Sequence, residues 1–283
     1  MIVVTGATGQ LGRLVIQSLL KKVPASGIVA AVRNVGKAED LAALGVQVRQ
    51  ADYNQPASWD GALQGADKVL LISSSEIGQR TKQHQAVIDA AKRAGVRLLA
   101  YTSVLHADTS ILGLADEHRE TEAVIRSSGV PFVLLRNGWY TENYAAGIPT
   151  ALSLGAVYGC AGNGRISSAA RADYAEAAAV VLTSGNQTGK TYELAGDSAY
   201  TLSEFAAEIS RQAGRAISYV NFPEAEYKKA LLGAGLPELF AELLANSDTG
   251  VSRGALFDEG HQLGKLIGRP TTPLATIVKA ALS

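Results

Sequence analysis

The sequence predicts an α/β protein: a parallel, doubly wound sheet followed by a small, mostly helical C-terminal lobe. Three observations carry this. Up to about residue 195, apolar β-branched runs recur with helical stretches between them. A glycine-rich turn joins the first run to the first helix. Beyond Gly196 the alternation gives way to helices broken by Gly and Pro.

The elements follow in order. Ile2 to Ala7, Ile28 to Arg33, Val46 to Tyr53, Lys68 to Ser74, Arg97 to Val104 and Pro131 to Asn137 read as buried strands. Near-continuous hydrophobicity is what parallel strands covered on both faces require. The first helix places Leu11, Val15 and Leu19 on one face, with Lys21 and Lys22 in its last turn. Further helices are predicted at about 38–44, 79–94, 116–128 and, rich in alanine, 172–184; Thr191 to Ala195 reads as a strand. Thr201-Leu202-Ser203-Glu204 is a capping-box pattern, and helices are expected near 224–233, 236–246 and 258–267. The division is a sheet domain over 1–195 and a C-terminal lobe over 196–283.

Composition narrows the function classes. The 283 residues carry 26 Lys and Arg against 26 Asp and Glu, so no basic nucleic-acid binder and no acidic tail is expected. Cys160 is the single cysteine, which excludes an internal disulfide and a cysteine-rich zinc site and fits a reducing, cytoplasmic setting. No run approaches about 18 apolar residues, so no membrane span is predicted. The opening Met1 to Thr5 reads as strand, so no secretory signal is expected. The four histidines show no ligand spacing, and no metal is expected.

The chemistry starts at Thr5-Gly6-Ala7-Thr8-Gly9-Gln10-Leu11-Gly12, between the first strand and the first helix. Gly6 permits a tight turn, Gly9 lets backbone approach a pyrophosphate, and Gly12 lets helix pack on strand. The helix N-terminus offers N–H groups and a positive dipole end to phosphates. The segment is therefore read as a dinucleotide cradle of a Rossmann-type sheet; a glycine-rich structural turn is the alternative. Enzymes using NAD usually place Asp or Glu at the end of the second strand to hold the ribose hydroxyls. Here that end is Val32-Arg33-Asn34, with no acid before Glu39. Arg33 suits a 2′-phosphate, which an acid would repel, so NADP(H) is predicted over NAD(H). The alternative for Arg33 is a solvated surface side chain. Asp52 and Tyr53 end the third strand and are placed beside the adenine, while Ser73, Ser74 and Ser75 end the fourth, under the cofactor ribose. Either segment could equally be an ordinary turn.

Together these segments, with Leu71-Ile-Ser-Ser-Ser75, Tyr101-Thr-Ser103 and Leu135-Arg-Asn-Gly138, resemble the short-chain dehydrogenase/reductase superfamily, nearest its atypical NmrA-like branch. The stretches 71–80, 106–110, 114–118 and 136–144 are similar to the type 2 NAD(P)H:quinone oxidoreductases of bacteria. Triphenylmethane dye reductases share the glycine loop and Leu-Arg-Asn but match those stretches less well. The resemblance covers the whole chain. It implies NADPH-dependent reduction of a small-molecule quinone without flavin, in a cleft between the sheet domain and the small lobe, with about 140–165 contributing.

One departure bears on mechanism. The superfamily's usual pair is Tyr-x-x-x-Lys, and none of the ten tyrosines is followed four residues later by lysine. A ketone accepting hydride becomes a basic alkoxide and needs a proton donor. A quinone becomes a delocalised, weakly basic phenolate, for which placement and hydrogen-bond donors suffice.

The resemblance places Arg136 to Asn143 beside the nicotinamide. Asn137 is a donor to the carboxamide or a quinone oxygen; Gly138, Trp139 and Tyr140 complete that wall, and Tyr140 joins Asn137 as a candidate catalytic residue. Asn143 and Trp139 are substrate contacts, with His106 at the mouth. Trp139 could instead fill the seam between lobes. His118 lies where related reductases often carry a lysine, and either orients the ribose, relays a proton, or is a capping or surface histidine. His84 and His261 are expected on helix surfaces. Two coincidental patterns are set aside: Gly250-Val-Ser-Arg-Gly254 follows polar residues where a nucleophile elbow needs a strand, and Gly185 to Thr191 is one residue short of a P-loop. Reduction of a dye and a non-catalytic NADP(H) sensor stay open as alternatives, and so does a homodimer.

Overall fold

The computed structural model describes residues 1–283. In chain order the strands are β1 Ile2–Val4, β2 Ile28–Val32, β3 Gln47–Gln50, β4 Lys68–Leu71, β5 Leu98–Val104, β6 Phe132–Asn137, β7 Ala156–Gly159, β8 Thr191–Leu194 and β9 Ser218–Asn221. The helices are α1 Gln10–Leu20, α2 Glu39–Ala43, α3 Ser58–Ala62, α4 Arg80–Arg93, α5 Ala115–Ser128, α6 Thr141–Ala145, α7 Ile148–Leu154, α8 Arg171–Thr183, α9 Leu202–Ala213, α10 Glu224–Gly233, α11 Glu238–Ser252, α12 Gln262–Ile267 and α13 Leu274–Leu282.

Seven strands form one parallel sheet in the order β3-β2-β1-β4-β5-β6-β8, as the doubly wound prediction requires. Val3 lies beside Val29 on one side and Val69 on the other. The chain builds outward from β1 to β3, then returns to β4 on the other side of β1. That reversal makes a crevice at the carboxyl ends of β1 and β4, where open α/β sheets take ligands.

Burial explains the strands. Every residue of β1, β2 and β5 is buried. Val3, Val29, Val69, Leu71, Leu99, Tyr101 and Leu134 form one core with Trp59 and Val87. The third strand differs from the buried run predicted: Gln47 and Gln50 are exposed, and Arg49 reaches the carbonyls of Ala62 and Gln64 at 3.1 and 2.7 Å. It is the sheet edge, which meets water along one side. The first helix buries Leu11, Val15, Ile16 and Leu19, but stops at Leu20 with Lys21 as C-cap; the two lysines lie past the last turn. Its partner is α8, whose small Ala175, Ala177, Ala178 and Ala179 permit close approach. Lys68 Nζ closes the C-terminal end of α8, reaching the carbonyls of Leu182 and Ser184 at 2.6 and 3.3 Å.

The chain forms two compact units. One is Met1–Ala107, Asp116–Asn137 and Arg171–Tyr192; the other is Asp108–Ala115, Gly138–Ala170 and Glu193–Ser283. In the second, β7 and β9 pair in a small parallel sheet. Asp248 on α11 accepts from Tyr144 of α6 at 3.0 Å and from the Cys160 N–H at 3.1 Å, which ties α6, α11 and the end of β7 together. Burial pushes the Asp248 carboxyl up to about 6. The predicted capping box is present on α9: Thr201 Oγ1 accepts from Glu204 N at 3.1 Å and Thr201 N donates to Glu204 at 2.7 Å. Ser252 lies in the last turn of α11, not on a strand-to-helix elbow. No helix is long and apolar enough to cross a membrane.

Candidate functional site

Parallel strands bring their carboxyl ends to one edge, and most of the singled-out residues of the first unit follow those ends. Gly6 adopts φ of +55°, which an L side chain rarely takes. A Cβ on Gly12 would stand 2.5 Å from the Gly6 carbonyl oxygen and 2.7 Å from Ala7 Cα, so only glycine lets α1 start this close to the loop. Gly9 is the N-cap, with no side chain capping the helix and no acid in its first turn. Gly9 and Gln10 are exposed, Thr8 is half-buried, and Ala7 and Leu11 are buried. The first N–H groups of α1 are thus open to an anion.

Hydrogen bonds join the neighbouring strand ends. Tyr53 Oη lies 2.7 Å from both Thr5 Oγ1 and the Ile72 carbonyl oxygen, and Ile72 N donates to Thr5 at 2.9 Å. A carbonyl only accepts, so the Tyr53 proton goes to Ile72. That hydroxyl is committed to the scaffold, and the ring packs on Trp59 at 5.3 Å. Asp52 accepts from Asn54 N at 2.9 Å, and its carbonyl takes the Trp59 indole N–H at 3.1 Å. Ser73 N donates to Thr102 at 2.9 Å. Ser74 is buried: its N–H donates to His84 Nε2 at 2.9 Å and its hydroxyl bonds Gln83. Ser75 is exposed. Arg33 is 71% exposed and faces Glu76, with Nη1 to Oε1 at 3.6 Å.

Behind these ends lies a buried polar layer. His84 is fully buried, which corrects the expectation of a surface histidine. The helical pattern of α4 did not show that the loop after β4 folds back over it. Because the Ser74 N–H can only donate, His84 Nε2 accepts, and Nδ1–H donates to Thr121 at 3.0 Å. Burial, with Arg80 nearby, holds His84 down to about 3. His118 on α5 is 4% exposed, and its Nδ1 lies 2.7 Å from the Tyr101 hydroxyl. It too is held at about 3 by burial and then Arg80, so it is neutral at physiological pH. His261, in contrast, is exposed at the N-cap of α12.

The end of β6 carries two features. Arg136 donates to Glu122 through Nε at 2.9 Å and Nη2 at 2.8 Å, both groups buried, and Ser103 donates to the same carboxylate at 2.6 Å. Removing one member of such a pair costs about 3–5 kcal/mol, so the segment is rigidly placed. A lone arginine in an apolar strand signals that some buried acid must pair with it, but not that the acid is Glu122. Asn137 is 6% exposed, and its Oδ1 is buried without a hydrogen-bond partner. Arg80 Nη1 is a second such atom, although Arg80 Nε donates to Ser74 O at 2.6 Å. Buried polar atoms are nearly always paired, so an orphan acceptor marks a place for a donor from outside the chain. His106, just past β5, takes φ of +52° and is half-buried.

Gly138 to Asn143 belong to the second unit. Gly138 N donates to Leu194 O at 2.7 Å, and the Trp139 and Tyr140 backbones pair with Ala169. Trp139 and Tyr140 are half-buried, and Asn143 is exposed on α6.

A family model, the NmrA-like family, matches residues 1–258. The chain belongs to the NmrA-like family. It is 59% identical over 278 residues to Quinone oxidoreductase 2 of Escherichia coli, covering 98% of this chain and 97% of that one. The crystal structure of an NADPH-dependent quinone oxidoreductase from Escherichia coli, complexed with NADPH, superposes with a TM-score of 0.98 at 58% identity over 100% of both chains. The triphenylmethane reductase of Citrobacter sp., complexed with NADP(H), gives a TM-score of 0.96 at 43% identity over 99% of this chain and 100% of that one.

Proposed function

We propose that this chain is an NADPH-dependent quinone reductase that moves two electrons in one step without a flavin. The observation that carries the reading is its full-length likeness to the Escherichia coli quinone oxidoreductase solved with NADPH. The residues fit the cofactor: a helix N-terminus without a side-chain cap, a loop whose Gly12 has no room for a Cβ against the Gly6 and Ala7 backbone so that α1 starts at the strand end, and an orphan buried acceptor at Asn137.

When bound, NADPH supplies the hydride. The N–H groups of Gln10 to Gly12 and the α1 dipole would hold its pyrophosphate, the Gly9 N–H being taken by the Gly6 carbonyl at 2.9 Å. Arg33 would hold the 2′-phosphate, and Asn137, expected from the sequence as a donor, would instead accept from the carboxamide through its unpartnered Oδ1. Asp52, Ser73 and Ser75 are the remaining polar candidates at the strand ends, with Gly138 and Tyr140 one and three residues past Asn137 in the chain. Trp139, Asn143 and His106 are the proposed contacts of a flat acceptor. His118, neutral and bonded to Tyr101, would position rather than donate. Tyr53, Tyr101, Tyr144, Tyr200, Tyr219 and Tyr227 are all pushed up by burial, so none of them is an activated acid. A quinone tolerates that, since water can protonate its weakly basic product after transfer.

Purified, flavin-free protein is expected to oxidise NADPH only when a benzoquinone is added. A protein that binds NADPH yet never oxidises it faster with any acceptor would be a sensor. The likeness to the triphenylmethane reductase keeps an extended cationic dye as a second acceptor class. A cytoplasmic location and a homodimer belong to the same proposal, the first resting on a single unpaired cysteine.

Asn137→Ala tests the orphan. It removes an unsatisfied buried oxygen, so the thermal midpoint should move little, while kcat with NADPH and quinone falls about ten- to a hundredfold, as for loss of one positioning hydrogen bond. A collapsed midpoint with unchanged kcat would make Asn137 structural.

A further inference from the structure

Glu76 lies in the loop after β4, and its carboxylate is held by a scaffold. Its N–H donates to Ser74 Oγ at 3.1 Å. Its Oε2 accepts from Gln83 Nε2 at 2.7 Å and from Asn54 Nδ2 at 3.3 Å. Gln83 is 1% exposed, and its Nε2 also donates to Asn54 Oδ1 at 3.0 Å. Two amides therefore fix one carboxylate oxygen, and the other faces Arg33 Nη1 at 3.6 Å.

Fold stability does not account for this construction. Arg33 and Glu76 are 71% and 45% exposed, and an ion pair so open to water contributes little. The charge arrangement does account for it. An acid at the ribose end of a dinucleotide site ordinarily extends the second strand and excludes a 2′-phosphate. Here the acid comes from the loop after β4, and it faces Arg33, the first residue past β2. An incoming phosphate shares the guanidinium with a carboxylate that cannot swing far away.

We propose that Glu76 sets the discrimination between NADPH and NADH, as a resident counter-ion that the 2′-phosphate must displace from Arg33. The inference rests on the NADPH reading above. Without the phosphate, Glu76 keeps its arginine and NADH binds with no such competition. With it, the dianion gains Arg33 and meets one fixed negative charge.

The test is direct binding to the full chain, by calorimetry or nucleotide fluorescence, with NADPH, NADH and 2′,5′-ADP as probes. Glu76→Gln keeps an oxygen for the Gln83 and Asn54 amides and removes the charge. NADPH and 2′,5′-ADP should tighten about three- to tenfold, the repulsion of one charge from a phosphate dianion across a screened, water-like medium. NADH should stay within about twofold, and the gain should shrink as salt rises. In an Arg33→Ala background the share of the Glu76→Gln gain that comes from competition for the guanidinium should be lost, leaving a smaller, salt-sensitive gain from direct repulsion alone; a gain that is undiminished there overturns the displacement from Arg33. Unchanged or weaker NADPH binding, or equal shifts for NADPH and NADH, overturns the role of Glu76. If Arg33→Ala alone weakens both nucleotides equally, the 2′-phosphate reading itself fails, and the inference with it. If that variant is selective and Glu76→Gln is flat, only the inference fails.

Discussion

Arg33→Ala should weaken NADPH binding about ten- to a hundredfold and leave NADH within about a factor of two. The size follows from losing charge-assisted hydrogen bonds to a phosphate in a partly exposed setting. The selectivity follows from position. Arg33 is the first residue past β2, with no carboxylate before Glu39 to take the ribose hydroxyls. Its guanidinium is open to solvent, so truncation leaves no buried group unpaired and the fold should be untouched. Arg33→Lys should recover only part of the loss, since an ammonium lacks the planar fork that matches phosphate. Dissociation constants for both nucleotides, taken at one fixed salt concentration, decide the matter.

Acid is expected to weaken the fold by about 4 kcal/mol between pH 7 and pH 4, chiefly through the two buried histidines. Each sits at about 3 in the native protein against an ordinary 6.5. The unfolded chain therefore takes up protons below 6.5 that the native chain refuses until about 3. Their stabilisation is complete above pH 6.5 and drains away as pH falls. At about 1.4 kcal/mol per pH unit, each accounts for about 3 kcal/mol by pH 4. Asp248 works in the opposite sense. Its native value of about 6 lies above the ordinary 3.8, so it penalises the fold at neutral pH. Falling pH relieves about 2 kcal/mol of that penalty, and the histidines win. His84→Gln should make the pH dependence shallower by about 3 kcal/mol. Denaturant unfolding of both proteins at pH 7 and pH 4 checks this; a profile that is flat, or rises toward acid, would contradict the burial of neutral imidazoles.

The sheet was legible because its signal is local. Ile28 to Val32 is a buried strand whichever partners it finds, and the glycine loop names both a strand end and a helix start. The small β7–β9 sheet was not legible. Val157 and Tyr158 are only half-buried, and they pair with residues more than sixty positions away. Short α6, α7 and α13 escaped for a similar reason, since brief helices draw their stability from packing rather than propensity.

The candidate site divides the same way. Gly6 and Gly12 could be read from type and spacing, because backbone conformation belongs to the residue itself; Arg33 as partner of a 2′-phosphate is still a proposal. Glu122, Gln83 and Glu76 could not, because their roles exist only once β4, β6, α4 and α5 meet. His84 marks the limit most plainly: its helix reads as largely polar, yet Ser74 and Thr121 enclose it from two other elements.

The most direct test of the central claim is an anaerobic single turnover of flavin-free protein, loaded with NADPH carrying deuterium at the transferred C4 position and mixed with a benzoquinone. The account predicts one hydroquinone per NADPH consumed, with a primary isotope effect on the rate and no need for added flavin. NADPH left unoxidised by the quinone, or oxidised only once flavin is supplied, would contradict it.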